Sequence, residues 1–437
     1  MLRTLAKVWG GVLGVVWILF IACGDIADFD RFLSLQRGEK CGVHPLSLLA
    51  EDVSISPLAT CLSPPAASSP ATTLFVSQFF GDDEGGRRVT IYDITAITDG
   101  ENATNVLGQP DFTTNSSGPS QSQVVGPIYL QSSLVGQYFF VPDSSTNDGN
   151  TSNRIMIWDV ASITNGENAV NVLGQANFTS SSAATTVSGL NTPYGLDWDS
   201  TNNRLFVADQ ANHRVIIFDV NTISDGENAV NVLGQVNFTT STATTTQSGM
   251  SSPVDTAWDS QNNRLFVVDQ GNNRILIFDV SAISDGENAA NVLGQANFTS
   301  SGADTTQSRL SAPGGIAYAS PYLFVADNGN NRIMIWDVAS ITNGENAVNV
   351  LGQANFTSSG TATTQSGMSS PQDVVVDAVA QKLFSVESAN RRVLVFDIST
   401  IINGENAQNI IGQANFTSNA AEVTQAGLAF PIGIALK

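Results

Sequence analysis

Histidine is the side chain most often used for acid–base catalysis near neutral pH, and it is nearly absent from this chain of 437 residues. The two histidines are His44, ahead of a long repetitive region, and His213, inside it. A zinc site of the usual composition takes several His or Cys ligands, so none is expected here. A Ser-His-Asp triad would have to use His213, whose position in a repeated turn favours a structural role.

Carboxylates recur in six copies of the sequence Gly-Glu-Asn-Ala. Their glutamates are Glu101, Glu167, Glu227, Glu287, Glu345 and Glu405. A residue that is identical in every copy is expected to maintain the repeated unit, so these side chains are predicted to make turn or inter-unit bonds. Each turn offers two or three oxygens, which are too few for a calcium site.

Positions that differ between copies are better candidates for a single ligand site. Each copy contains a proline, and the two residues after it vary. The first of them is Ile128, Tyr194, Val254, Gly314, Gln372 or Ile432, and the second is Tyr129, Gly195, Asp255, Gly315, Asp373 or Gly433. Asp255 and Asp373 are candidates to hold a cation or a cationic group. The alternative is that they face water and bind nothing.

The elements that position these residues follow from the repeats, which have to be recognised before any local motif. Three landmarks recur in fixed order: a proline, an arginine that precedes alternating apolar residues, and the glycine of Gly-Glu-Asn-Ala. The prolines are Pro127, Pro193, Pro253, Pro313, Pro371 and Pro431; the arginines are Arg88, Arg154, Arg214, Arg274, Arg332 and Arg392; the glycines are Gly100, Gly166, Gly226, Gly286, Gly344 and Gly404. Independent landmarks with matching spacing establish six units.

One unit predicts four strands. They are Pro193 to Asp199, Arg204 to Asp209, Arg214 to Val220, and a fourth whose beginning is Asn231 to Gln235. Proline at the start of a strand costs no ladder hydrogen bond. Four short strands per unit, repeated radially, are typical of a propeller blade.

Acid–arginine pairs recur at the turn between the second and third strands. Asp209 and Arg214 form one such pair, and it is repeated as Asp269 with Arg274 and as Asp327 with Arg332. We interpret these pairs as structural bonds of the hairpin.

The ends of the repetitive region complement each other. Leu74-Phe75-Val76 matches a second strand with no first strand before it, and Pro431 to Leu436 matches a first strand alone. Joining them completes a six-bladed, all-β propeller with four-stranded blades over residues 71–437 and leaves no open sheet edge. The variable residues after the prolines should then ring the mouth of the central channel, with Tyr129, Tyr194, Asp255, Gln372 and Asp373 as the candidate ligand-binding residues.

Charge restricts the partners. The chain has 18 Lys and Arg against 39 Asp and Glu, a net charge of −21, and no basic cluster. Nucleic-acid binding requires a basic patch, so a nucleic-acid partner is not expected. We expect a monomeric propeller.

The segment from Leu205 to Asp219, with Val207-Ala208-Asp209 and Asn212-His213-Arg214, resembles the NHL repeat. The resemblance covers about residues 71–437, in units of about 60 residues that are longer than is usual for the family. It implies a protein- or RNA-binding platform, although some relatives are lyases or hydrolases. Amidating-lyase-like relatives rely on several metal-binding histidines, and this sequence has one histidine in the region.

The first 22 residues resemble a secretory signal, with Arg3 and Lys7 ahead of an apolar stretch that is short for a membrane span. Leu19 to Cys23 resembles a bacterial lipobox, which predicts lipidation of Cys23 and a membrane-anchored protein of the cell envelope that faces the periplasm or the surface. Simple cleavage or an uncleaved anchor is the alternative. Residues 23–70 are interpreted as a linker, in which Cys41 and Cys61 are either a disulfide or two free thiols.

Three functions remain open from the sequence. The first is an exported, membrane-tethered scaffold that binds a protein or a glycan and has no catalytic residues or cofactor. The second is a lyase or lactonase-like hydrolase that uses calcium and channel carboxylates. The third is a structural surface protein.

Overall fold

The computed structural model describes residues 70–79, 86–130, 134–135, 137–144 and 151–437. The signal segment, Cys23, the Cys41 and Cys61 pair and the linker up to residue 69 lie outside the described residues. No helix within the described ranges is long and apolar enough to span a membrane. One compact unit runs from Pro70 to Lys437.

Six antiparallel sheets of four strands form the six blades of a β-propeller. Blade 1 contains β24 (Pro431–Leu436), β1 (Thr73–Gln78), β2 (Arg88–Asp93) and β3 (Asn105–Leu107); blade 2 contains β4 (Leu134–Val135), β5 (Tyr138–Asp143), β6 (Arg154–Asp159) and β7 (Asn171–Leu173); blade 3 contains β8 (Pro193–Asp199), β9 (Arg204–Asp209), β10 (Arg214–Asp219) and β11 (Asn231–Leu233); blade 4 contains β12 (Pro253–Asp259), β13 (Arg264–Asp269), β14 (Arg274–Asp279) and β15 (Asn291–Leu293); blade 5 contains β16 (Ile316–Ala319), β17 (Tyr322–Asp327), β18 (Arg332–Asp337) and β19 (Asn349–Leu351); blade 6 contains β20 (Pro371–Asp377), β21 (Lys382–Glu387), β22 (Arg392–Asp397) and β23 (Asn409–Ile411). The predicted fold class is confirmed.

Closure occurs in blade 1, as predicted. Strand β24 pairs antiparallel with β1, so that Leu74 lies opposite Leu436 and Val76 lies opposite Ile434. Strand β24 from the C-terminal end of the propeller thereby supplies the inner strand of blade 1. Every blade consequently has both neighbours, and none presents an open face.

The inner strands of two blades are shorter than predicted. In blade 2, Pro127 forms only an isolated bridge with Asp143, and β4 begins at Leu134. In blade 5, β16 begins at Ile316, three residues after Pro313. There the Gly315 N–H donates to the Gln372 carbonyl of the next blade at 2.6 Å, while the Gly315 carbonyl accepts the Ala326 N–H of β17 at 2.9 Å.

The predicted acid–arginine bonds are confirmed and extend to five blades. Five arginines pair with an acid at the end of the preceding strand: Arg154 with Asp143, Arg214 with Asp209, Arg274 with Asp269, Arg332 with Asp327, and Arg392 with Glu387. In blade 1, Gln78 replaces the acid, and Arg88 Nη2 donates to Gln78 Oε1 at 3.2 Å. Burial lowers the pKa of Arg88 to about 10.

The Gly-Glu-Asn-Ala turns join neighbouring blades around the outer rim. In blade 3, Asp225 Oδ1 accepts the Val172 N–H of blade 2 at 3.0 Å, and the Gly226 N–H donates to the Val172 carbonyl. All six junctions repeat this pattern, with Asp or Asn before the glycine. Glu227 binds its own turn through Ser224, which supports the predicted structural role of this glutamate. The turns therefore cover the backbone edge of each outer strand.

Candidate ligand site in the central channel

The inner strands β4, β8, β12, β16, β20 and β24 surround the central channel. We call the end where these strands begin the proline end, since Pro193 and its equivalents lie there. The other end, where β8 finishes at Asp199 and β12 at Asp259, is the exit end. The two ends of the channel differ in their packing.

Large side chains alternate with glycines in one layer near the proline end. The layer consists of Tyr129, Gly195, Asp255, Gly315, Asp373 and Gly433. A Cβ atom on Gly195 would lie 2.0 Å from Asp255 Oδ1, and one on Gly315 would lie 1.9 Å from Asp373 Oδ1. The glycines thus make room for the larger side chains of adjacent blades, and the layer fills the channel.

The five predicted ligand-binding residues lie close together in this region. The Tyr129 ring meets the Tyr194 ring edge-to-face at 5.6 Å between centroids, and Tyr129 Oη donates to Gln372 Oε1 at 3.3 Å. Tyr194 and Gln372 are half-buried, whereas Tyr129, Asp255 and Asp373 are at most 2% exposed. The three buried residues therefore pack inside the channel instead of lining an open mouth. Ligand binding by this set stays a prediction.

The two channel aspartates each hold the inner strand of the next blade. Asp255 Oδ2 accepts the Ile316 N–H at 2.9 Å, and Asp373 Oδ2 accepts the Ile434 N–H at 3.0 Å. The other oxygen of each carboxyl accepts the N–H of the following residue. Burial raises the pKa of Asp373 to about 8. Burial, followed by the charge of Asp373, raises the pKa of Asp255 well above its usual range.

A cavity of about 270 Å³ opens at the exit end. Its lining residues, which we call the exit pocket, are Asp197, Trp198, Ser200, Ala257, Trp258, Ala317, Tyr318, Val375 and Val376. All but Ser200, which follows β8, come from the inner strands of four consecutive blades, blades 3 to 6. None of them is among the candidate residues predicted from the sequence. The available signal was the fifth residue after the proline, which is aromatic in three consecutive copies.

Asp197 is a third channel aspartate with the same bonding pattern. Its Oδ2 accepts the Trp258 N–H of the next blade at 2.6 Å, and its Oδ1 accepts the Trp198 N–H at 2.7 Å. Burial raises the pKa of Asp197 to about 7. Because this carboxyl lines the exit pocket, it is the acidic group available to a ligand there.

The aromatic residues of the exit pocket are half-buried and packed between blades. Among the described residues, Trp198 Nε1 and Trp258 Nε1 are buried without a hydrogen-bond partner. By contrast, the buried Trp336 donates its Nε1 hydrogen to the Glu345 carbonyl at 3.2 Å. An unpaired buried donor costs about 1–3 kcal/mol. Neither pocket indole therefore gains a hydrogen bond within the described residues.

Residues suited to metal binding are dispersed. No three His, Cys, Asp or Glu side chains are grouped so that they could hold a metal ion, within the ranges that the structure describes.

No protein-family model matches this sequence, and no curated protein matches it. Among solved structures, one similar chain comes from the crystal structure of a nidogen/laminin complex, with 15% identity, a TM-score of 0.49, and coverage of 83% of this chain and 97% of that chain. Another is a putative 6-phosphogluconolactonase from Bacteroides fragilis, with 12% identity, a TM-score of 0.47, and coverage of 86% and 100%. What the channel binds therefore has to be inferred from its own residues.

Proposed function

We propose that this chain is an exported, membrane-tethered propeller of the NHL type that acts as a scaffold for a protein or glycan ligand. The NHL assignment is supported by the strand–turn–strand unit around Asn212-His213-Arg214. In that unit, Arg214 Nε donates to Asp209 Oδ2 at 2.7 Å, and Asn212 Nδ2 donates to the same oxygen. Export and tethering are supported by the signal-like residues and the lipobox-like Cys23, which mass spectrometry of the mature N-terminus tests.

The exit pocket is the observation that carries the binding function. It is concave, and three of its lining residues are aromatic. Its one carboxyl, that of Asp197, can bind a polar group of the ligand. The alternating layer of Tyr129, Asp255 and Asp373 fills the channel toward the proline end. A ligand that enters at the exit end therefore meets a closed floor. The volume of the exit pocket, about 270 Å³, suits one sugar ring or one extended side chain.

The unpaired indoles support a functional role for this end of the channel. Departures from local packing rules are expected at functional sites. Trp198 and Trp258 each bury a donor without a partner among the described residues, and they occupy equivalent positions in adjacent blades.

Screening of the purified full chain against glycan arrays and against candidate envelope proteins tests the proposal. A ligand is expected whose affinity falls at least tenfold when Trp198 and Trp258 are both changed to alanine. The matched control changes Asp279, an exposed residue at the end of β14, to asparagine. Absence of any protein or glycan ligand, together with turnover of a small substrate, would overturn the proposal.

A further inference from the structure

We propose that the exit pocket binds a methylated ammonium group, carried either by a choline-type head group or by a methylated lysine side chain. This inference rests on the proposed binding function and names the chemistry of the ligand. The observation behind it is a cavity whose lining combines Trp198, Trp258 and Tyr318 with the acidic residue Asp197.

The charges of the lining favour a cation. Asp197 is the one charged side chain among the lining residues, Ser200 is the one hydroxyl that is not phenolic, and no lysine or arginine belongs to the lining. An anionic ligand would lie next to a carboxyl that has no cationic partner in the lining, at a large desolvation cost. A net charge of −21 for the chain acts in the same direction at longer range.

The aromatic residues favour an organic cation over a small inorganic ion. Two indoles and one phenol come from the inner strands of blades 3, 4 and 5, each at the fifth residue after the proline of its unit. Aromatic rings attract cations within about 6 Å of their centroids, with tryptophan the strongest, and such rings form the sites that recognise choline and methylated lysine. A bare metal ion would instead require several oxygen ligands, and the lining supplies one carboxylate.

Backbone hydrogen bonds fix the orientation of the Asp197 carboxyl in the lining of the exit pocket. Two N–H groups, those of Trp198 and Trp258, donate to separate oxygens of Asp197 at 2.7 and 2.6 Å. This arrangement orients the carboxyl, and each oxygen keeps a further lone pair. Alanine residues, Ala257 and Ala317, line the same level of the next two blades and leave space beside it.

Ionisation of Asp197 predicts the pH dependence of binding. A bound cation favours the carboxylate, and the pKa of Asp197 in the free protein is about 7. The acids that act on it are Asp199, which pairs with Arg204, and Asp255 in the next blade. Affinity for the cation is therefore expected to rise between pH 6 and pH 8, as the carboxyl loses its proton.

Calorimetric titration of the full chain tests the inference with three probes. They are choline, the N-acetyl amide of trimethyllysine, and the neutral carbon isostere of choline, in which a tert-butyl group replaces trimethylammonium. At least one ammonium probe is expected to bind at least tenfold more tightly than the isostere. The preferred probe distinguishes a head group from a lysine side chain.

Two pocket variants and one control complete the experiment. Asp197→Asn is expected to weaken ammonium binding at least tenfold and to abolish its pH dependence; Trp258→Leu is expected to weaken it at least fivefold; Asp279→Asn should leave it unchanged. Thermal melting establishes which variants are folded, and either folded pocket variant suffices. Equal binding of choline and the isostere, or no binding of any ammonium probe by the folded full chain, overturns the inference. The proposed function is decided separately, by the glycan-array and protein screens.

Discussion

The carboxyl of Asp197 in blade 3 accepts the backbone N–H of Trp258 in blade 4 at 2.6 Å. The same relationship joins Asp255 to Ile316 and Asp373 to Ile434, so three acids each bind the inner strand of the following blade. Buried N–H groups need acceptors, and these N–H groups face the channel, where no further strand is available. The channel acids therefore have a structural role in joining blades, and Asp197 alone of the three also lines the exit pocket.

Replacement of Asp373 by asparagine should change how stability depends on pH. The folded pKa of Asp373, about 8, exceeds the usual value of 3.8 in the unfolded chain, so the folded state binds the proton more tightly. The free energy of unfolding contributed by this group consequently falls as pH rises from about 4 to about 8. From pH 6 to pH 9, the free energy of unfolding of Asp373→Asn, relative to that of the unchanged protein, is expected to rise by more than about 1 kcal/mol.

Urea denaturation at several pH values measures this effect. Asp279→Asn is the matched control, because this exposed acid has a lowered pKa and stays ionised throughout the range. A stability difference for Asp373→Asn that does not vary with pH would contradict the burial of an ionisable group in the channel layer.

A methyl group on Gly315 should disrupt the channel layer. The added Cβ would lie 1.9 Å from Asp373 Oδ1 and 2.8 Å from Asp373 Cα, so the neighbouring strand has to move. We expect Gly315→Ala to cost about 1–3 kcal/mol in urea denaturation. Gly360→Ala is the control, because nothing lies within 4 Å of its added Cβ. Equal stability of the two variants would show that the layer is not closely packed.

The fully buried ion pair of blade 4 should contribute more to stability than the second pair of the same blade, whose arginine is partly exposed. Arg274 and Asp269 are fully buried, whereas the Arg264 side chain, paired with Asp259, is 17% exposed. Arg274→Met leaves a buried carboxylate without its cation and is expected to cost about 3–5 kcal/mol. Arg264→Met should cost less, because the Arg264 side chain is partly exposed, whereas Arg274 also donates to the Thr246 and Gly249 carbonyls. Urea denaturation of the two variants measures this difference. Equal losses of stability would contradict a larger structural contribution from the fully buried pair.

Replacement by phenylalanine should cost less stability at a pocket tryptophan than at a tryptophan of the blade interior. Trp336→Phe loses a hydrogen bond to the Glu345 carbonyl and leaves that buried space partly empty, at an expected cost of about 1–3 kcal/mol. Trp258→Phe removes a donor that has no partner among the described residues, so its cost should be below that of Trp336→Phe. Thermal and urea denaturation of both variants provide the comparison. A larger loss for Trp258→Phe would indicate that this indole is retained for stability.

The sequence predicted closure well, because Leu74-Phe75-Val76 and Pro431 to Leu436 are complementary fragments whose pairing needs no knowledge of side-chain packing. It also predicted the hairpin bond between Asp209 and Arg214, because a repeated acid and base at a turn have one simple interpretation.

Which end of the channel is filled was harder to predict. Tyr129, Gly195 and Asp255 alternate large and small in the sequence, yet periodicity does not say whether the large side chains extend into solvent or across the axis. The exit pocket was missed because variable positions were sought only in the two residues after each proline. Trp198, Trp258 and Tyr318 lie at the fifth, and only the packing of the inner strands shows that this position borders the channel.

The most direct measurement is the structure of the full chain with the ligand bound. We predict density for the ligand at the exit end, in contact with Trp198, Trp258 and Tyr318 and next to the Asp197 carboxyl. Density at the proline end against Tyr194 and Gln372, or on the outer rim of the blades, would contradict the assignment of the exit pocket as the binding site.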